Sequence, residues 1–277
     1  MNKIISIVDL LIAFIKFKLG KVVFVKYYSR ITNVGDVLNL DLIEHYSNKK
    51  VLNTRGCSKL PHYLVVGSVI HNMNEKTTVL GSGLIEREYI NHIKSLGQVK
   101  VVRGELTKKA LEENFDIKLD DLPLGDPAVL FPKIYLPEVS KTHSLGLVLH
   151  YVDEDHPIKE VVIKLGGKII SVRQSPKSFI DELMECDHIL SSSMHGLILA
   201  DSYGIKNKRI ILSDKITGGD YKFIDYYSTT NRPYEDFLTI SNEVKAQDIT
   251  DCIKKCTVKT FTYDIDKLEK VFLEENF

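Results

Sequence analysis

The sequence predicts an α/β protein of two domains, each a parallel sheet covered by helices, that face each other across a cleft. Apolar runs of strand length alternate with helical segments, which is typical of parallel sheets with helices on both faces. The alternation occurs twice, on either side of a proline-punctuated segment, residues 131–140, that we interpret as an extended linker. The chain of 277 residues is long enough for two cores of ordinary size. We therefore predict a first domain over residues 21–135 and a second over residues 140–277.

Four strands are predicted in the first domain. They are residues 21–28, 63–67, 77–81 and 98–102. The first is a continuous apolar run, as found in sheets that are buried on both faces. A polar turn leads from it into a helix that ends at Tyr46, and we interpret Asp36 as the cap of this helix. A further helix is predicted over residues 106–114.

The alternation of strands and helices restarts after the linker. Strands are predicted over residues 145–150, 168–172, 187–190 and 208–212, and helices over residues 156–164 and 175–185. Ser175 is expected to cap the second of these helices, because a proline follows in its first turn. Residues 215–232 are polar and are predicted to be irregular, and residues 248–256 and 264–275 to be amphipathic helices. Whether the last helix packs back on the first domain stays open.

The first 20 residues form a separate apolar segment that we predict to be helical. Residues 4–14 are nearly all apolar, but they are too few to span a bilayer, and Asp9 interrupts them. No small-residue cleavage site of a signal peptide follows. We expect a helix packed on the protein. The alternative is peripheral contact of residues 4–18 with the inner face of a membrane, because Lys16 and Lys18 flank the apolar residues.

Composition excludes some classes of protein. Apolar residues make up 44% and charged residues 27% of the chain, as in globular domains. The 37 basic and 37 acidic residues cancel, and no block carries one sign, which argues against binding nucleic acid by bulk charge. Of the four cysteines, Cys57, Cys186, Cys252 and Cys256, only the last two are close, and no second pair or histidine cluster completes a zinc site. We expect no metal and a reducing, cytoplasmic compartment.

The most informative stretch is residues 191–204, between a predicted strand and a predicted helix. Ser191, Ser192 and Ser193 offer hydroxyl and backbone N–H groups at the positive end of a helix dipole, where an anion can bind. His195 follows in the first turn, and its imidazole suits proton transfer near neutral pH. Gly204 is expected to end the helix in the left-handed conformation. Taken alone, the stretch is explained equally well by serines that cap a helix and a histidine on the surface.

Two cations follow predicted strands and so can reach the same crevice. Arg103 comes at a strand end, where a guanidinium suits a phosphate or carboxylate held by two parallel bonds. The alternative is an ion pair with Glu105 or another nearby carboxylate. Lys222 is predicted to lie on a loop, either as an anion contact or as a solvated lysine. The turn around Gly35 and the pair of glycines around Ser82 also follow strands, and open α/β sheets bind ligands at that edge.

Five motifs in this order resemble the polysaccharide pyruvyl transferase family. They are NVGDVLN at residues 33–39, VRGELT at 102–107, GDPA at 125–128, SSSMHGLILADSYG at 191–204 and YKFIDYY at 221–227. The resemblance covers roughly residues 21 to 230. It implies two Rossmann-like domains arranged as in GT-B glycosyltransferases. It also implies transfer of the pyruvyl group of phosphoenolpyruvate onto a sugar of a bacterial surface polysaccharide or its precursor, with a pyruvate ketal as product and release of phosphate.

The resemblance also implies the residues of the site. The donor-binding arginine, histidine and lysine of the family map onto Arg103, His195 and Lys222. The other predicted donor-binding residues are Ser191, Ser192, Ser193, Gly196, Asn33, Gly35, Asp36, Ser82 and Gly83. His195 would deliver a proton to the methylene carbon of the donor or take one from the sugar hydroxyl. Phosphoenolpyruvate is a co-substrate, no cofactor is expected, and the acceptor is a sugar, a nucleotide sugar, or a lipid-linked or polymeric glycan.

Two other functions are compatible with the same fold. A nucleotide-sugar glycosyltransferase would release a nucleotide. Glu235 and Glu243 have seven residues between them, as two glutamates of some of these enzymes do, but they do not lie beside a glycine-rich loop, and we interpret the spacing as chance. A non-catalytic, two-lobed anion receptor would tolerate the loss of His195 better than the loss of Arg103.

Overall fold

The computed structural model describes residues 7–54 and 59–277, which form two five-stranded sheets. The first sheet consists of β1 (Val22–Val25), β2 (Lys50–Asn53), β3 (His62–Leu64), β4 (Thr77–Leu80) and β5 (Gln98–Val101). Its helices are α1 (Ile7–Lys18), α2 (Val34–Ser47), α3 (Glu105–Phe115) and α4 (Phe131–Ile134). All of its strand pairs are parallel.

The second sheet has the same character. Its strands are β6 (His143–Val148), β7 (Lys168–Ile170), β8 (Cys186–Ser191), β9 (Lys206–Ile211) and β10 (Leu238–Thr239), again all parallel. Its helices are α5 (Ile158–Lys164), α6 (Pro176–Met184), α7 (Met194–Ser202), α8 (Tyr221–Tyr227), α9 (Ala246–Lys254) and α10 (Ile265–Leu273). The predicted α/β class with two parallel sheets is confirmed, and the architecture is consistent with a two-domain Rossmann-like fold.

The two sheets share one topology. The first has the order β2-β1-β3-β4-β5, and the second has the order β7-β6-β8-β9-β10 when listed from the corresponding edge. Each therefore reverses its strand order once, between β1 and β3 and between β6 and β8. Such switch points leave a crevice beyond the carboxyl ends of the strands, where open α/β sheets bind ligands.

Two helices from the second half of the chain contact the first half: α8, which lies between β9 and β10, and α10, which follows β10. On α10, Phe272 is buried with its ring 5.3 Å from that of Tyr46 on α2. The side chain of Glu269 accepts a hydrogen bond of 3.0 Å from the Tyr46 hydroxyl. Beyond the end of α10, Glu275 is 2.6 Å from Lys100 of β5. The end of the chain therefore lies against the first sheet.

Most predicted elements occur within a few residues of their expected bounds. Ser175 caps α6, since its hydroxyl accepts a hydrogen bond of 3.2 Å from the Ser178 N–H, and Gly204 follows α7 with φ of 68°. The strands β2 and β10 were not predicted. They are edge strands: β2 has only two apolar residues among its four, and β10 has two residues in all, so neither shows an apolar run.

Three sequence predictions are wrong. Residues 131–140 are not extended throughout, because α4 occupies Phe131–Ile134 and Phe131 is fully buried in the core. Residues 215–232 contain α8, so Lys222 lies on a helix and not on a loop. Asp36 is the third residue of α2 and not its cap. The helix starts at Val34, whose N–H donates a 2.8 Å hydrogen bond to the carbonyl of Val172 from the other half of the molecule.

The N-terminal helix is less packed than the sequence predicts. Phe17 lies against Phe24 of β1, with ring centroids 5.4 Å apart. The side chains of Ile12, Ile15 and Leu19 are 46%, 49% and 62% exposed. The helix therefore packs on β1 through Phe17 and leaves this face exposed. Residues 1–6 of the predicted segment, like Cys57, lie outside the described residues. In the part of the chain that is described, no helix is long and apolar enough to cross a membrane.

Candidate active site

A cavity of about 510 Å³ lies where the carboxyl ends of the two sheets meet. Its walls come from the residues after β1 and β3 on one side and after β6, β8 and β9 on the other. Of the described residues, four lysine or arginine side chains and one aspartate line it: Lys26, Arg30, Lys215, Lys222 and Asp36. Both switch points therefore open into one cavity with an excess of positive charge.

His195 projects into this cavity from the first turn of α7. The imidazole is only 7% exposed, and it packs directly on Gly35 of α2, where an added Cβ would lie 2.0 Å from Nδ1. Burial, together with the nearby charges of Arg103, Lys222 and His150, lowers the pKa of His195 to about 3. The imidazole is therefore neutral near pH 7 in the free protein and is able to accept a proton.

Lys222 reaches the cavity from the first turn of α8. Its side chain is largely buried, and the ammonium group donates a 3.0 Å hydrogen bond to the carbonyl of Thr217. Burial and the charges of Arg103 and Arg209 lower the pKa of Lys222 to about 8. No carboxylate within the described ranges forms an ion pair with it. The carboxyl groups of Asp36 and Glu86 oppose this lowering of the pKa without forming an ion pair, and an anion in the cavity would add to their counter-charge.

Arg103 lies one layer behind the cavity wall and is fully buried. Its Nε and Nη2 are each 2.9 Å from Oδ2 of Asp225 on α8. Nη2 also donates to the carbonyl of Leu84 at 2.6 Å, and Nη1 donates to the hydroxyl of Ser68 at 2.5 Å. Ser68 lines the cavity. The guanidinium therefore has a carboxylate partner inside the protein. It acts on the cavity through its hydrogen bond to the Ser68 hydroxyl and through the effect of its charge on His195 and Lys222.

Of the three predicted serines, Ser193 lines the cavity and the other two face inward. The Ser191 hydroxyl donates a 2.8 Å hydrogen bond to the carbonyl of Ser193 and accepts a 3.0 Å hydrogen bond from its N–H. The Ser192 hydroxyl accepts a 2.9 Å hydrogen bond from the N–H of His150. These two hydroxyls shape the turn before α7, and helix geometry leaves the N–H groups of the first turn without intrahelical acceptors. Gly196 belongs to that turn and packs tightly, since an added Cβ would lie 2.5 Å from the Ser191 hydroxyl.

Asn33 and Asp36 lie on the opposite wall, at the start of α2. Burial raises the pKa of Asp36 to about 7, although hydrogen bonds from the Tyr28 backbone and the Asn33 side chain and the charge of Lys222 oppose the shift. The carboxyl group therefore titrates near neutral pH. It is the acidic group of the described cavity lining.

Ser82 and Gly83 do not line the cavity. The Ser82 hydroxyl donates a 2.9 Å hydrogen bond to the carbonyl of Gly67 and accepts one from Val69. Gly83 packs against the guanidinium, since an added Cβ would lie 2.4 Å from Cζ of Arg103. Both residues support the wall from behind.

Asp126 is a neighbour of His195 that the site prediction left out. Its Oδ2 is 3.8 Å from His195 Nε2, and both atoms are buried without a hydrogen-bond partner among residues 7–54 and 59–277. Burial raises the pKa of Asp126 to about 6, against the effects of the Ala128 N–H and of Arg103. The GDPA motif contains this residue, but its spacing from His195 along the chain gives no sign of the contact.

Other cavity residues were also not predicted. Lys26 follows β1 and is half-buried, and Tyr28 and Arg30 follow it on the same wall. Across the cavity, His150 and Tyr151 follow β6, with ring centroids 4.2 Å apart. All five follow β1 or β6, the strands beside the two switch points. Their position after these strands is the sequence signal that could have predicted them.

The site is therefore compact but has two layers. His195, Lys222, Ser193, Asn33 and Asp36 line the cavity. The remaining predicted residues lie behind its walls: Arg103, Ser191, Ser192, Gly196, Gly35, Ser82 and Gly83. Within the described ranges, no three His, Cys, Asp or Glu side chains are grouped so that they could hold a metal ion.

Fold and site define an α/β protein in which two parallel sheets share a cation-lined cavity with a buried imidazole. A sequence profile of the polysaccharide pyruvyl transferase family matches residues 12–207. The chain belongs to the polysaccharide pyruvyl transferase family.

Two proteins that are similar to this chain are described as uncharacterised. One, from Acanthamoeba polyphaga mimivirus, is 27% identical over 218 residues, which cover 75% of this chain and 74% of that protein. The other is a crystal structure of a protein of Klebsiella pneumoniae that is 12% identical, with a TM-score of 0.47, over 85% of this chain and 100% of that one. Neither supplies a substrate for this chain.

Proposed function

We propose that the protein transfers the pyruvyl group of phosphoenolpyruvate onto a sugar of a surface polysaccharide or its precursor. The observation that carries the proposal is the convergence of Ser193, His195 and Lys222 on one cavity that has an excess of cations. Family membership supports pyruvyl transfer in general. The donor and the roles of the residues are our inference from the chemistry of the cavity.

The donor would bind with its anionic groups between Lys222 and the first turn of α7. Phosphoenolpyruvate carries a phosphate and a carboxylate, and a lysine without a carboxylate partner and free helix N–H groups are both suited to such groups. Arg103 is enclosed and paired with Asp225, so it would not contact the donor directly. It donates a hydrogen bond to the Ser68 hydroxyl and so orients that hydroxyl at the cavity wall.

His195 would act first as a base. Its lowered pKa of about 3 leaves the imidazole neutral at pH 7, so that it is ready to take the proton of an attacking sugar hydroxyl. The negative charge of a bound donor raises the affinity of the imidazole for that proton. Of the two alternatives for the first proton transfer, the free protein therefore favours removal from the sugar over delivery to the donor.

The reaction balances with two sugar hydroxyls and one donor. One hydroxyl oxygen bonds to C2 of the enolpyruvyl group, and the methylene C3 gains a proton and becomes a methyl group. The second hydroxyl oxygen bonds to the same C2, and the C2–O bond to the phosphate breaks with its electron pair on the leaving oxygen. Of the two hydroxyl protons, one ends on C3 and the other on the phosphate. The products are a cyclic ketal and inorganic phosphate, and fixed cations stabilise the charge on the leaving group.

The remaining cavity would hold the acceptor. About 510 Å³ exceeds what a three-carbon donor fills, and Tyr28, His150 and Tyr151 offer ring faces to a sugar. We propose a GT-B-like arrangement, with the acceptor entering between the two sheets, and a cytoplasmic site of action where phosphoenolpyruvate is available. A nucleotide sugar, a lipid-linked sugar and a polymeric glycan remain the candidate acceptors.

A phosphate-release assay with phosphoenolpyruvate and a panel of acceptors tests the proposal, with mass analysis of the product. We expect release of phosphate only with an acceptor that has two neighbouring hydroxyls, and a product heavier by one pyruvate ketal. Release of a nucleotide from a nucleotide sugar, without use of phosphoenolpyruvate, would establish the glycosyltransferase instead. That outcome has no support from the glutamate pair, since Glu235 is buried against Lys208 at 2.7 Å and neither Glu235 nor Glu243 lines the cavity.

The anion-receptor alternative is separated by titration calorimetry. A receptor would bind phosphoenolpyruvate and release no phosphate with any acceptor of the panel. In that case the His195→Gln protein would bind as the natural protein does, and neither would show turnover.

A further inference from the structure

The cavity wall contains a pair of polar atoms that lack partners and lie next to each other. Oδ2 of Asp126 and Nε2 of His195 are both buried, and neither has a hydrogen-bond partner in the described part of the chain. They are 3.8 Å apart. A buried carboxylate oxygen without a partner is costly, so a hydrogen bond to Nε2 of His195 would stabilise it.

The surroundings hold Asp126 in place. Its Oδ1 accepts a 3.0 Å hydrogen bond from the Ala128 N–H, which fixes the carboxyl group at the start of a short helical turn. The next residue, Pro127, packs on Gly81, where an added Cβ would lie 2.3 Å from the proline ring. The carboxylate therefore has one oxygen fixed by the backbone and the other aimed at the imidazole.

The other ring nitrogen of His195, Nδ1, packs on Gly35 and is the less enclosed of the two nitrogens. Nε2 is buried on the Asp126 side, whereas Nδ1 is not among the buried unpartnered atoms, and His195 lines the cavity. Hydrogen bonds of catalytic groups are often long before substrate binds and shorten in the complex. A small rotation of the ring would close the present gap.

We infer that Asp126 is a positioning residue that accepts a hydrogen bond from Nε2–H of His195 and leaves the Nδ1 lone pair facing the substrate. A carboxylate in this position fixes the tautomer and stabilises the imidazolium that forms when the base takes a proton. The inference deepens the proposed function, because it concerns the proton transfer assigned to His195. Its first test does not depend on the reaction.

Several charged groups act on this pair. Arg103, Lys222 and His150 lower the proton affinity of His195. The charge of Arg103 lowers the pKa of Asp126, and the charge of Asp225 raises it. The charge of Asp126 in turn raises the pKa of Tyr263. Because the pKa of Asp126 is raised to about 6, its carboxyl group is largely ionised above pH 7 and largely protonated below pH 5. The carboxylate would therefore act on the imidazole at neutral pH and above.

Nitrogen NMR of histidine-labelled protein at pH 7.5 measures the tautomer directly. The His195 signals are assigned by their loss in His195→Gln. We expect Nε2 to carry the proton and Nδ1 to be unprotonated in the natural protein, both free and with phosphoenolpyruvate. In Asp126→Asn, which keeps the bond from Ala128, we expect a mixed or inverted tautomer. The same tautomer in both proteins would overturn the inference, whatever the reaction proves to be.

A matched control separates this effect from the loss of any buried carboxylate. Asp201 lies on the same helix as His195, is also buried, and also has its pKa raised to about 6. Asp201→Asn should leave the His195 tautomer unchanged, and a shift equal to that of Asp126→Asn would count against a specific role. If pyruvyl transfer is established, Asp126→Asn should lower kcat by roughly 10²-fold or more with little change in KM for phosphoenolpyruvate. Equal losses in kcat for the two variants would also argue against positioning.

A second and independent feature is the exposed face of α1. Ile12 and Ile15 lie on one face of α1, and Leu19 follows the last residue of the helix with its N–H bonded to the carbonyl of Ile15 at 3.0 Å. Each of the three side chains is about half exposed or more. Lys16, Lys18 and Lys21 surround this face, and none of them forms an ion pair with a described residue. An apolar helix face beside unpaired lysines is the pattern of helices that lie on a membrane surface.

We propose that this face of α1 binds the surface of an anionic lipid bilayer. The apolar side chains would enter the boundary of the acyl chains, and the lysines would meet the headgroups. A second copy of this chain suits the face less well. A two-fold interface sets a patch against itself, and the unpaired lysines of the two copies would then face each other.

Sedimentation with vesicles tests this assignment. We expect the protein to pellet at least 10-fold more strongly with phosphatidylglycerol-containing vesicles than with phosphatidylcholine vesicles, and less at high salt. Ile15→Gln with Leu19→Gln should lose most of this binding. Leu136→Gln with Ile163→Gln is the matched control, since those side chains are 70% and 58% exposed elsewhere. Equal losses in both double variants, no binding to either vesicle, or a dimer that only the α1 variant abolishes would each overturn the proposal.

Discussion

Arg103 and Asp225 form a fully buried ion pair that joins the two halves of the molecule. Both side chains have zero exposure, and the shortest N–O distance is 2.9 Å. Arg103 follows β5 of the first sheet, and Asp225 lies on α8, beyond β9 of the second. The same carboxylate accepts hydrogen bonds of 2.9 and 2.7 Å from the N–H and hydroxyl of Thr107 at the start of α3. The pair therefore fixes α8, and with it Lys222, against the first sheet.

We predict that Asp225→Ala strongly destabilises the protein. Removal of one member leaves the guanidinium buried without its counter-charge, which typically costs about 3–5 kcal/mol. Chemical denaturation followed by circular dichroism measures the loss. The control is Glu113→Gln, which breaks the exposed pair with Arg87 at 2.8 Å and should cost about 1 kcal/mol or less. Similar losses in the two variants would contradict a joining role for Asp225.

Local sequence signals sufficed for the fold class and for the turn that begins α7. The apolar runs of the central strands predicted two parallel sheets, because strands buried on both faces need apolar residues throughout. Ser193 and His195 were found because a strand, a polar turn and a helix follow one another within a few residues. The edge strand β2 gave no such signal, since it begins with an exposed lysine, ends with an asparagine and has only two apolar residues between them.

Contacts between distant parts of the chain decided the rest of the site. Arg103 was expected to hold an anion with parallel bonds, but the partner that it has in the free protein is Asp225, 122 residues away. Asp126 lies after α3 and His195 at the start of α7, so the two approach each other only because these segments of different halves of the fold meet. No pattern of spacing within a single sequence reports such pairs. The position after a strand of the switch point was the general signal, and it also applies to Lys26 and His150.

We predict that Gly35→Ala displaces the imidazole of His195. An alanine in a helix usually stabilises it by up to about 1 kcal/mol relative to glycine. Here the added methyl group would lie 2.0 Å from Nδ1, so we expect a net loss of about 1–3 kcal/mol from overpacking. Thermal denaturation measures the sign. Gly35→Ala in a His195→Ala background should recover the loss, and a loss that persists there would place its cause elsewhere.

We predict that phosphoenolpyruvate binds more weakly as the pH rises through about 8. The pKa of Lys222 is lowered to about 8 by burial and by Arg103 and Arg209, and only its cationic form attracts the donor. The contribution of Lys222 is therefore present below this pKa and is lost above it, although a bound anion will move the transition upward. Titration calorimetry between pH 6.5 and 9.5 measures the dependence.

The variant Lys222→Met separates this lysine from the other cations of the cavity. Loss of a hydrogen-bonded charge should weaken binding by roughly 10- to 100-fold at pH 7 and remove the transition near pH 8. Lys215→Met changes an exposed lysine of the same cavity and should keep the transition. A transition that survives in Lys222→Met would assign it to a different group.

We predict that His195→Gln separates turnover from donor binding. Because burial and neighbouring cations lower the pKa of His195 to about 3, the imidazole carries no charge at pH 7 and adds little to the attraction of an anion. Loss of a positioned base should lower kcat by roughly 10²- to 10⁴-fold, while the affinity for phosphoenolpyruvate changes by only a few-fold.

His150→Gln is the matched control, since His150 lines the same cavity and has its pKa lowered to about 4 by burial and by the charge of Lys222. Its loss should lower kcat by less than about 10-fold, because its Nδ1 already accepts a hydrogen bond from the Val152 N–H. If His195→Gln instead weakens donor binding and leaves kcat unchanged, the imidazole is a binding group, and the base has to be sought among the other cavity residues, first of all Asp36.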